Sequence, residues 1–248
     1  MSVDDDAGGP APSVARRGLV RAGLGGAALL GTGLLCVAST ASGTRPEPGV
    51  GGPRPTGPGP AWRELAAGNL RWRTLHERHP DESRTVRRVL MGGQHPFAVV
   101  LGCVDSRVPP ELVVDQGLGD LLTVRSAGQV LDEAVLGSIA YGVLELDVPL
   151  VVVLGHQGCG AVAAAVDADA THAPLPAHLR YLADQIRPAV DPGLPRHARV
   201  DAAVTAHVRR VTASLAAEPD LVGRVASGRL AVVGARYELS SQRVTRLD

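Results

Sequence analysis

The chain has 248 residues, of which 45% are hydrophobic and 20% charged, with 25 basic residues balanced by 25 acidic ones. This composition excludes a chain that is disordered throughout, and the length suits one large domain or two small ones. Zero net charge argues against nucleic-acid binding, which usually requires an excess of positive charge, and three cysteines are too few for a disulfide framework.

Residues 1–42 have the layout of an export signal. Arg16 and Arg17 precede a 17-residue apolar stretch at 22–38 that is rich in small residues. The arginine pair resembles the twin-arginine signal, whose pathway carries folded proteins with their metal in place. An uncleaved membrane anchor is the alternative, although the stretch lies at the short end of the spanning range. We therefore expect the export machinery to carry the protein beyond the cytoplasmic membrane, where it is released or tethered.

Residues 43–60 are predicted to form a linker, because two thirds of them are Gly or Pro and no hydrophobic periodicity survives. The folded catalytic domain is then predicted to cover residues 61–248. Its first two segments, 61–76 and 84–91, have apolar residues at helical spacing, and Pro80 and a glycine pair end them.

Four continuous apolar runs rich in β-branched residues predict strands buried on both faces, at 97–104, 121–124, 149–154 and 230–233. Helical patterns follow or separate them at 130–146, 160–166, 176–186 and 197–215. Strands that alternate with helices predict an α/β fold with a parallel-rich central β-sheet flanked by helices.

Two polar clusters directly follow buried strands. The first contains Cys103, Asp105 and Arg107, and the second contains His156 and Cys159. Ligands of open parallel sheets bind at the carboxyl ends of the strands, so these clusters can converge. Two thiolates and one imidazole suit tetrahedral Zn²⁺, and three protein ligands leave a position for water, as catalytic zinc sites do. Cys159 is expected at a helix N-terminus, which favours its thiolate.

Each fragment alone has a simpler interpretation. A lone buried cysteine is usually an inert core residue, and Asp105 with Arg107 is otherwise a surface ion pair of little energy. A thiol phosphatase is excluded, because such an enzyme needs arginine six residues after its cysteine, where Pro109 stands.

Together these residues resemble the β-class carbonic anhydrases. The shared pattern is C-x-D-x-R followed by H-x-x-C, embedded in GQHPFAVVLGCVDSRVPPE, QGLGDLLTVRSAG and VPLVVVLGHQGCGAV. The likeness extends from about Trp62 to about Val244, with Ala140 standing where many relatives have glutamate. It implies the β-carbonic anhydrase fold and reversible hydration of CO2 to bicarbonate and a proton.

The resemblance also implies roles. Cys103, His156 and Cys159 hold Zn²⁺, and zinc-bound hydroxide attacks CO2. Asp105 orients that hydroxide by accepting its proton in a hydrogen bond, and Arg107 keeps Asp105 ionised and aimed. In part of the family the aspartate instead closes the site at lower pH, so Asp105 is also a conditional fourth zinc ligand. Both the open and the closed resting state remain alternatives.

Gln94 matches a glutamine that in some members donates a hydrogen bond to substrate, often across a dimer interface. From its residue type alone it is equally well a loop residue. The family usually forms dimers or larger assemblies, so we expect a homo-oligomer. The remaining histidines, His207 among them, are expected on the solvent-exposed surface.

Three functions stay open at this point. The first is zinc-dependent hydration of CO2. The second is hydrolysis of another small linear molecule, such as COS or CS2, by the same metal set. The third is a non-catalytic zinc protein that binds bicarbonate or a partner, which would not need Asp105 and Arg107.

Overall fold

The computed structural model of the protein describes residues 54–248. The predicted export signal and most of the predicted linker therefore lie outside the described residues. Between residues 54 and 248, none of the helices combines the length and the apolar character that crossing a membrane requires.

Residues 54–248 form one five-stranded sheet in the order β2-β1-β3-β4-β5. The strands are β1 (Ala98–Cys103), β2 (Leu121–Ser126), β3 (Leu150–His156), β4 (Ala231–Glu238) and β5 (Arg243–Leu247). The first four are parallel, and β5 pairs with β4 in the antiparallel direction. The predicted parallel-rich α/β sheet is thereby confirmed.

Eight α-helices flank this sheet within the described range. They are α1 (Pro58–Arg73), α2 (Arg84–Val89), α3 (Pro110–Val113), α4 (Glu133–Leu144), α5 (Gly160–Thr171), α6 (Ala177–Ile186), α7 (Arg196–Ala216) and α8 (Pro219–Ala226). Short 3-10 turns cover Leu90–Gly92, Ala127–Gln129 and Arg187–Ala189. The first helix begins three residues before the predicted start at Ala61, because proline is well tolerated in the first turn of a helix.

Both faces of the central strands are buried, as their continuous apolar sequences predict. Alternate residues of β1 point to opposite faces: Val100 packs with α1 and α3, whereas Val99 and Leu101 pack with α4, α7 and α8. A third apolar cluster lies around Cys103 and Cys159 and contains residues of α5, α6 and α7. This third cluster encloses the carboxyl ends of β1 and β3.

The strand order has a switch point between β1 and β3. The chain leaves β1 for its neighbour β2 on one side and later enters β3 on the other side. Connections that depart in opposite directions leave a crevice at the carboxyl ends of the two strands, where open α/β sheets bind their ligands.

Helix α1 is attached to the sheet edge through two residues that are adjacent in sequence. Gly68 packs closely against the C-terminal end of α3. A Cβ at position 68 would lie 1.8 Å from the Val114 carbonyl oxygen. Asn69 donates to the carbonyl oxygens of Val113 (3.0 Å) and Gln242 (2.9 Å), and its Oδ1 accepts from Val244 N–H (2.8 Å). The buried amide therefore joins α1 to both α3 and β5.

Candidate metal centre

Two strand ends and one helix start bring the three predicted metal ligands together. Cys103 is the last residue of β1, and His156 is the last residue of the neighbouring strand β3. Gly158, with φ +63°, turns the chain so that Cys159 becomes the N-cap of α5, as predicted. All three are buried, with exposures of 4%, 0% and 1% in chain order.

The distances among these side chains suit a tetrahedral ion. The ligand atoms of Cys103, His156 and Cys159 all lie within 4.8 Å of one another, and the two sulfurs are 3.9 Å apart. Two sulfurs at ~2.3 Å from a tetrahedral zinc are about 3.8 Å apart. The donor set and its spacing therefore fit Zn²⁺.

The imidazole of His156 has one nitrogen fixed and one free. Its Nδ1 donates to the Gln157 carbonyl oxygen at 3.0 Å, which leaves Nε2 as the nitrogen with the lone pair. Nε2 is buried and has no hydrogen-bond partner among residues 54–248. Because this nitrogen also lies within 4.8 Å of two cysteine sulfurs, it is available to bind a metal ion together with them.

The two thiols lie within hydrogen-bond distance of each other, with their sulfurs 3.9 Å apart. Hydrogen bonding with Cys159 lowers the pKa of Cys103 to about 4 against the opposing effect of burial, and the Gly128 N–H bond acts in the same direction. The same pairing, together with burial, raises the pKa of Cys159. Binding of a metal by both sulfurs would therefore release a proton from Cys159.

Asp105 and Arg107 form a bidentate ion pair beside the cysteines. Arg107 Nε donates to Oδ1 at 2.9 Å and Nη2 donates to Oδ2 at 2.7 Å, while the Arg107 backbone N–H also donates to Oδ1. The Arg107 side chain lowers the pKa of Asp105 well below its usual range. Oδ2 lies 3.9 Å from His156 Nε2, so an ionised carboxylate borders the space between the ligand atoms.

Three residues near the centre had no assigned role in the sequence analysis. Arg125 of β2 donates to the carbonyl oxygens of Cys103 and Asp105, both at 2.7 Å, and so fixes the segment that carries the ligand and the carboxylate. Gly128 N–H donates to Cys103 Sγ at 3.4 Å, and His207 Nε2 donates to the Gly128 carbonyl oxygen at 2.8 Å. The expectation of a surface position is wrong for His207, because it lies on the inner face of α7 and is 3% exposed.

Gln94 stands apart from the metal ligands within one chain. It is exposed and lies in the loop before β1, whereas Cys103 ends that strand. Strand β1, which is six residues and about 17 Å long, therefore separates Gln94 from Cys103. The strand predicted at 97–104 already implied this separation, which agrees with a contact made across a dimer interface in some family members.

Comparisons with known proteins agree with this geometry. The sequence profile of the carbonic anhydrase family matches residues 98–244. Carbonic anhydrase 2 of Mycobacterium tuberculosis is 44% identical over 198 residues, which cover 78% of this chain and 94% of that protein. The crystal structure of the β-carbonic anhydrase CafA of Aspergillus fumigatus is 26% identical with a TM-score of 0.62, covering 75% of this chain and 90% of that chain. A structure from a study of two tetrameric β-carbonic anhydrases of Sordaria macrospora is 21% identical with a TM-score of 0.61, covering 75% and 96%, and has the same fold.

Proposed function

The chain belongs to the β-class carbonic anhydrases, a family of enzymes, and from that premise we propose that it binds Zn²⁺ through Cys103, His156 and Cys159 and hydrates CO2 reversibly to bicarbonate and a proton. The observation that carries the proposal is His156 Nε2, a buried imidazole nitrogen with no hydrogen-bond partner in residues 54–248, close to two sulfurs at zinc-ligand spacing. A non-catalytic zinc protein would have no use for the Asp105–Arg107 pair beside the ligands.

The reaction needs a nucleophile near neutral pH and a group that orients it. Bound zinc supplies a Lewis acid that lowers the pKa of water, so that hydroxide is available for attack on the CO2 carbon. Asp105, kept ionised by Arg107, is an acceptor for the proton of the nucleophile and so directs the oxygen lone pair toward CO2. Two anionic sulfur ligands reduce the effective charge of the ion, so activity is expected to favour alkaline conditions.

Asp105 has a second proposed role as a conditional fourth ligand. In the described arrangement both of its carboxylate oxygens accept hydrogen bonds from Arg107. To bind the metal and close the site, Asp105 would have to give up hydrogen bonds to Arg107. Arg107 therefore favours the open, active arrangement.

Gln94 and oligomerisation belong to the same proposal. Because β1 separates Gln94 from Cys103, a substrate contact by Gln94 requires a second copy of the chain. We therefore propose a homo-oligomer in which the loop before β1 reaches another copy's site. Gln94→Ala is expected to raise KM for CO2 hydration more than it lowers kcat, and an unchanged KM in the oligomer would contradict the contact.

The decisive test is stopped-flow CO2 hydration by the zinc-loaded protein from pH 7 to 9, together with zinc analysis of the same samples. Cys159→Ala and His156→Ala are expected to lose stoichiometric zinc and activity, because three ligands offer no redundancy. His178→Ala, which removes an exposed imidazole, is the matched control and should keep both. Wild-type protein that holds zinc but lacks CO2 hydration would overturn the proposal, and hydrolysis of COS or CS2 by that protein would identify the alternative function.

Export is proposed from the sequence of residues 1–42 together with the chemistry of the site. Metal-free paired thiols would face oxidation outside the cytoplasm, so loading zinc before export protects them. Arg16→Lys combined with Arg17→Lys is expected to trap a folded, zinc-bound precursor in the cytoplasm. Arg21→Lys, outside the pair, is the control in cell fractionation. Unchanged export of the double variant would exclude the twin-arginine route, and a wild-type chain found wholly in the cytoplasm would refute the signal.

A further inference from the structure

A tight turn between β2 and α4 supports the metal centre from behind. The turn, Ala127–Gln129, contains two successive left-handed residues, Gly128 with φ +69° and Gln129 with φ +55°. A Cβ on Gly128 would approach Ile186 Cδ1 to 3.0 Å, so the turn fits closely against the neighbouring apolar cluster. The turn places Gly128 N–H 3.4 Å from Cys103 Sγ, within reach of an N–H···S hydrogen bond.

His207 holds this turn from the opposite side. Its Nε2 lies 2.8 Å from the Gly128 carbonyl oxygen, and since a carbonyl only accepts, Nε2 carries the proton. Burial lowers the pKa of His207, so the ring is neutral at neutral pH. The two hydrogen bonds involve the peptide units on either side of the Gly128 Cα, and together they fix the orientation of both.

The packing of α7 does not explain why a histidine stands here. The neighbouring inward positions Val204, Val208 and Val211 are apolar. The other ring nitrogen of His207, Nδ1, is buried with no hydrogen-bond partner in the described part of the chain. An apolar side chain would avoid that desolvation, so the histidine costs stability that its hydrogen bond to Gly128 must offset.

We propose that His207 is a positioning residue for the metal centre, which acts through the Gly128 turn to keep a hydrogen-bond donor on the Cys103 sulfur. The inference rests on the proposed zinc site and adds a residue 104 positions away from the ligand that it affects. His207 touches neither the metal ligands nor the substrate space in the described contacts, so its effect is indirect.

The chemistry of the N–H···S bond fixes the direction of the effect. A donor on the sulfur fixes the direction of its lone pairs and withdraws electron density from it, and such outer hydrogen bonds support metal binding. Loss of the donor should weaken metal binding at neutral pH. It should also make the metal-bound sulfur more electron-rich, which moves sulfur-to-metal charge transfer to lower energy.

The test compares His207→Leu, which removes the donor, with His207→Gln, whose amide N–H can replace it. Zinc affinity is measured by chelator competition at pH 7.5, and the sulfur-to-cobalt charge-transfer band is recorded on cobalt-substituted protein. His207→Leu is expected to bind zinc about tenfold more weakly, as is typical when outer hydrogen bonds of a metal site are removed, and to move the band to longer wavelength. His207→Gln should restore most of both properties.

Val211→Ala is the matched control, since Val211 lies one turn further along the buried face of α7 and packs in a different cluster from the metal ligands. It should lower stability without changing the cobalt band. Wild-type zinc affinity and an unmoved band in His207→Leu would overturn the inference, as would equal defects in His207→Leu and His207→Gln. Failure of the zinc site itself is distinguishable, because the wild-type protein would then bind neither metal stoichiometrically.

Discussion

At the scale of single residues, the Asp105 carboxylate is paired with Arg107 and lies close to His156. Both of its oxygens accept from Arg107, and Oδ2 lies 3.9 Å from the free nitrogen of His156. Arg107 and Asp105 are two residues apart in sequence, and Arg125 of β2 supports them by donating to the Asp105 carbonyl oxygen at 2.7 Å. The proposed role of Arg107 is to fix the charge and direction of Asp105; because Arg107 is exposed, the pair contributes little to the stability of the fold.

Asp105→Asn is expected to keep zinc and to lower kcat/KM for CO2 hydration by about 10²-fold or more, the usual loss when a positioned proton acceptor is removed. Arg107→Ala should lower it in the same direction by leaving Asp105 unpaired. Arg187→Ala is the matched control, because Arg187 is also 54% exposed and pairs with a carboxylate, that of Asp184. Stopped-flow rates equal to wild type in both Asp105→Asn and Arg107→Ala would reduce the pair to a surface feature.

The cluster of Cys103, His156 and Cys159 could be predicted from the sequence, because each residue lies at or near the end of a readable strand and has a side chain that suits a metal. Arg125 could not, since it acts on backbone carbonyls that any sequence possesses. His207 likewise acts on a backbone carbonyl oxygen, that of Gly128, 79 residues away, and the Gly128 contact to Cys103 Sγ comes from a backbone N–H. Contacts between a side chain and a distant backbone group leave no pattern in a single sequence.

At the scale of helices and strands, Asn69 is the main polar connection between α1 and the edge of the sheet. Its amide serves three backbone groups on two different elements. An apolar face alone would allow α1 to slide along the sheet, whereas these three bonds select one position.

Asn69→Ala should destabilise the fold by about 2–4 kcal/mol, because it leaves buried backbone groups without partners. Leu70→Ala changes the next residue, which is 51% exposed, and should stay within about 0.5 kcal/mol of wild type. Urea unfolding of the two variants at one pH measures the difference. Equal midpoints for Asn69→Ala and Leu70→Ala would show that the three hydrogen bonds contribute nothing.

The elements that the sequence analysis missed are those whose patterns are short or mixed. Strand β5 mixes charged, polar and apolar residues at an exposed edge, and α3 has only four residues. Helix α8 has eight residues with a single buried one, Leu221. The central strands β1 and β3 were predicted because burial on both faces demands an unbroken apolar run. The edge strand β2 was also predicted, but the expectation that both of its faces are buried is wrong, because its residues are only partly buried or exposed.

At the scale of the whole molecule, the 25 basic and 25 acidic residues balance, so the pH dependence of stability comes mainly from individual buried groups. Asp120 is 5% exposed, accepts from Gly117 N–H at 2.9 Å and lies 3.3 Å from the Arg54 guanidinium. Burial, with the nearby Asp81 carboxyl contributing, raises the pKa of Asp120 to about 6. Because this folded-state pKa exceeds the ordinary value of about 3.9, the folded protein gains stability from the protonated acid at low pH and loses it as pH rises through 6.

Asp120→Asn mimics the protonated acid and should therefore raise the free energy of unfolding by about 1–2 kcal/mol at pH 8. The gain should vanish at pH 4. Asp167→Asn is the control of opposite sign, because the Arg196 side chain lowers the pKa of Asp167, so this variant should gain nothing at pH 8. Urea unfolding of both variants at pH 4 and pH 8 measures the difference. A pH-independent effect of Asp120→Asn would contradict the raised pKa of Asp120.

The attachment of α1 to β5 also has a consequence for the order in which the chain can mature. Asn69 reaches partners 173 and 175 residues later in the sequence, so two of its three hydrogen bonds wait until Gln242 and Val244 have left the ribosome. The metal ligands, in contrast, are all synthesised by residue 159. A nascent chain thus has its thiols available well before its first helix is locked in place, and metal loading can precede the final closure of the fold.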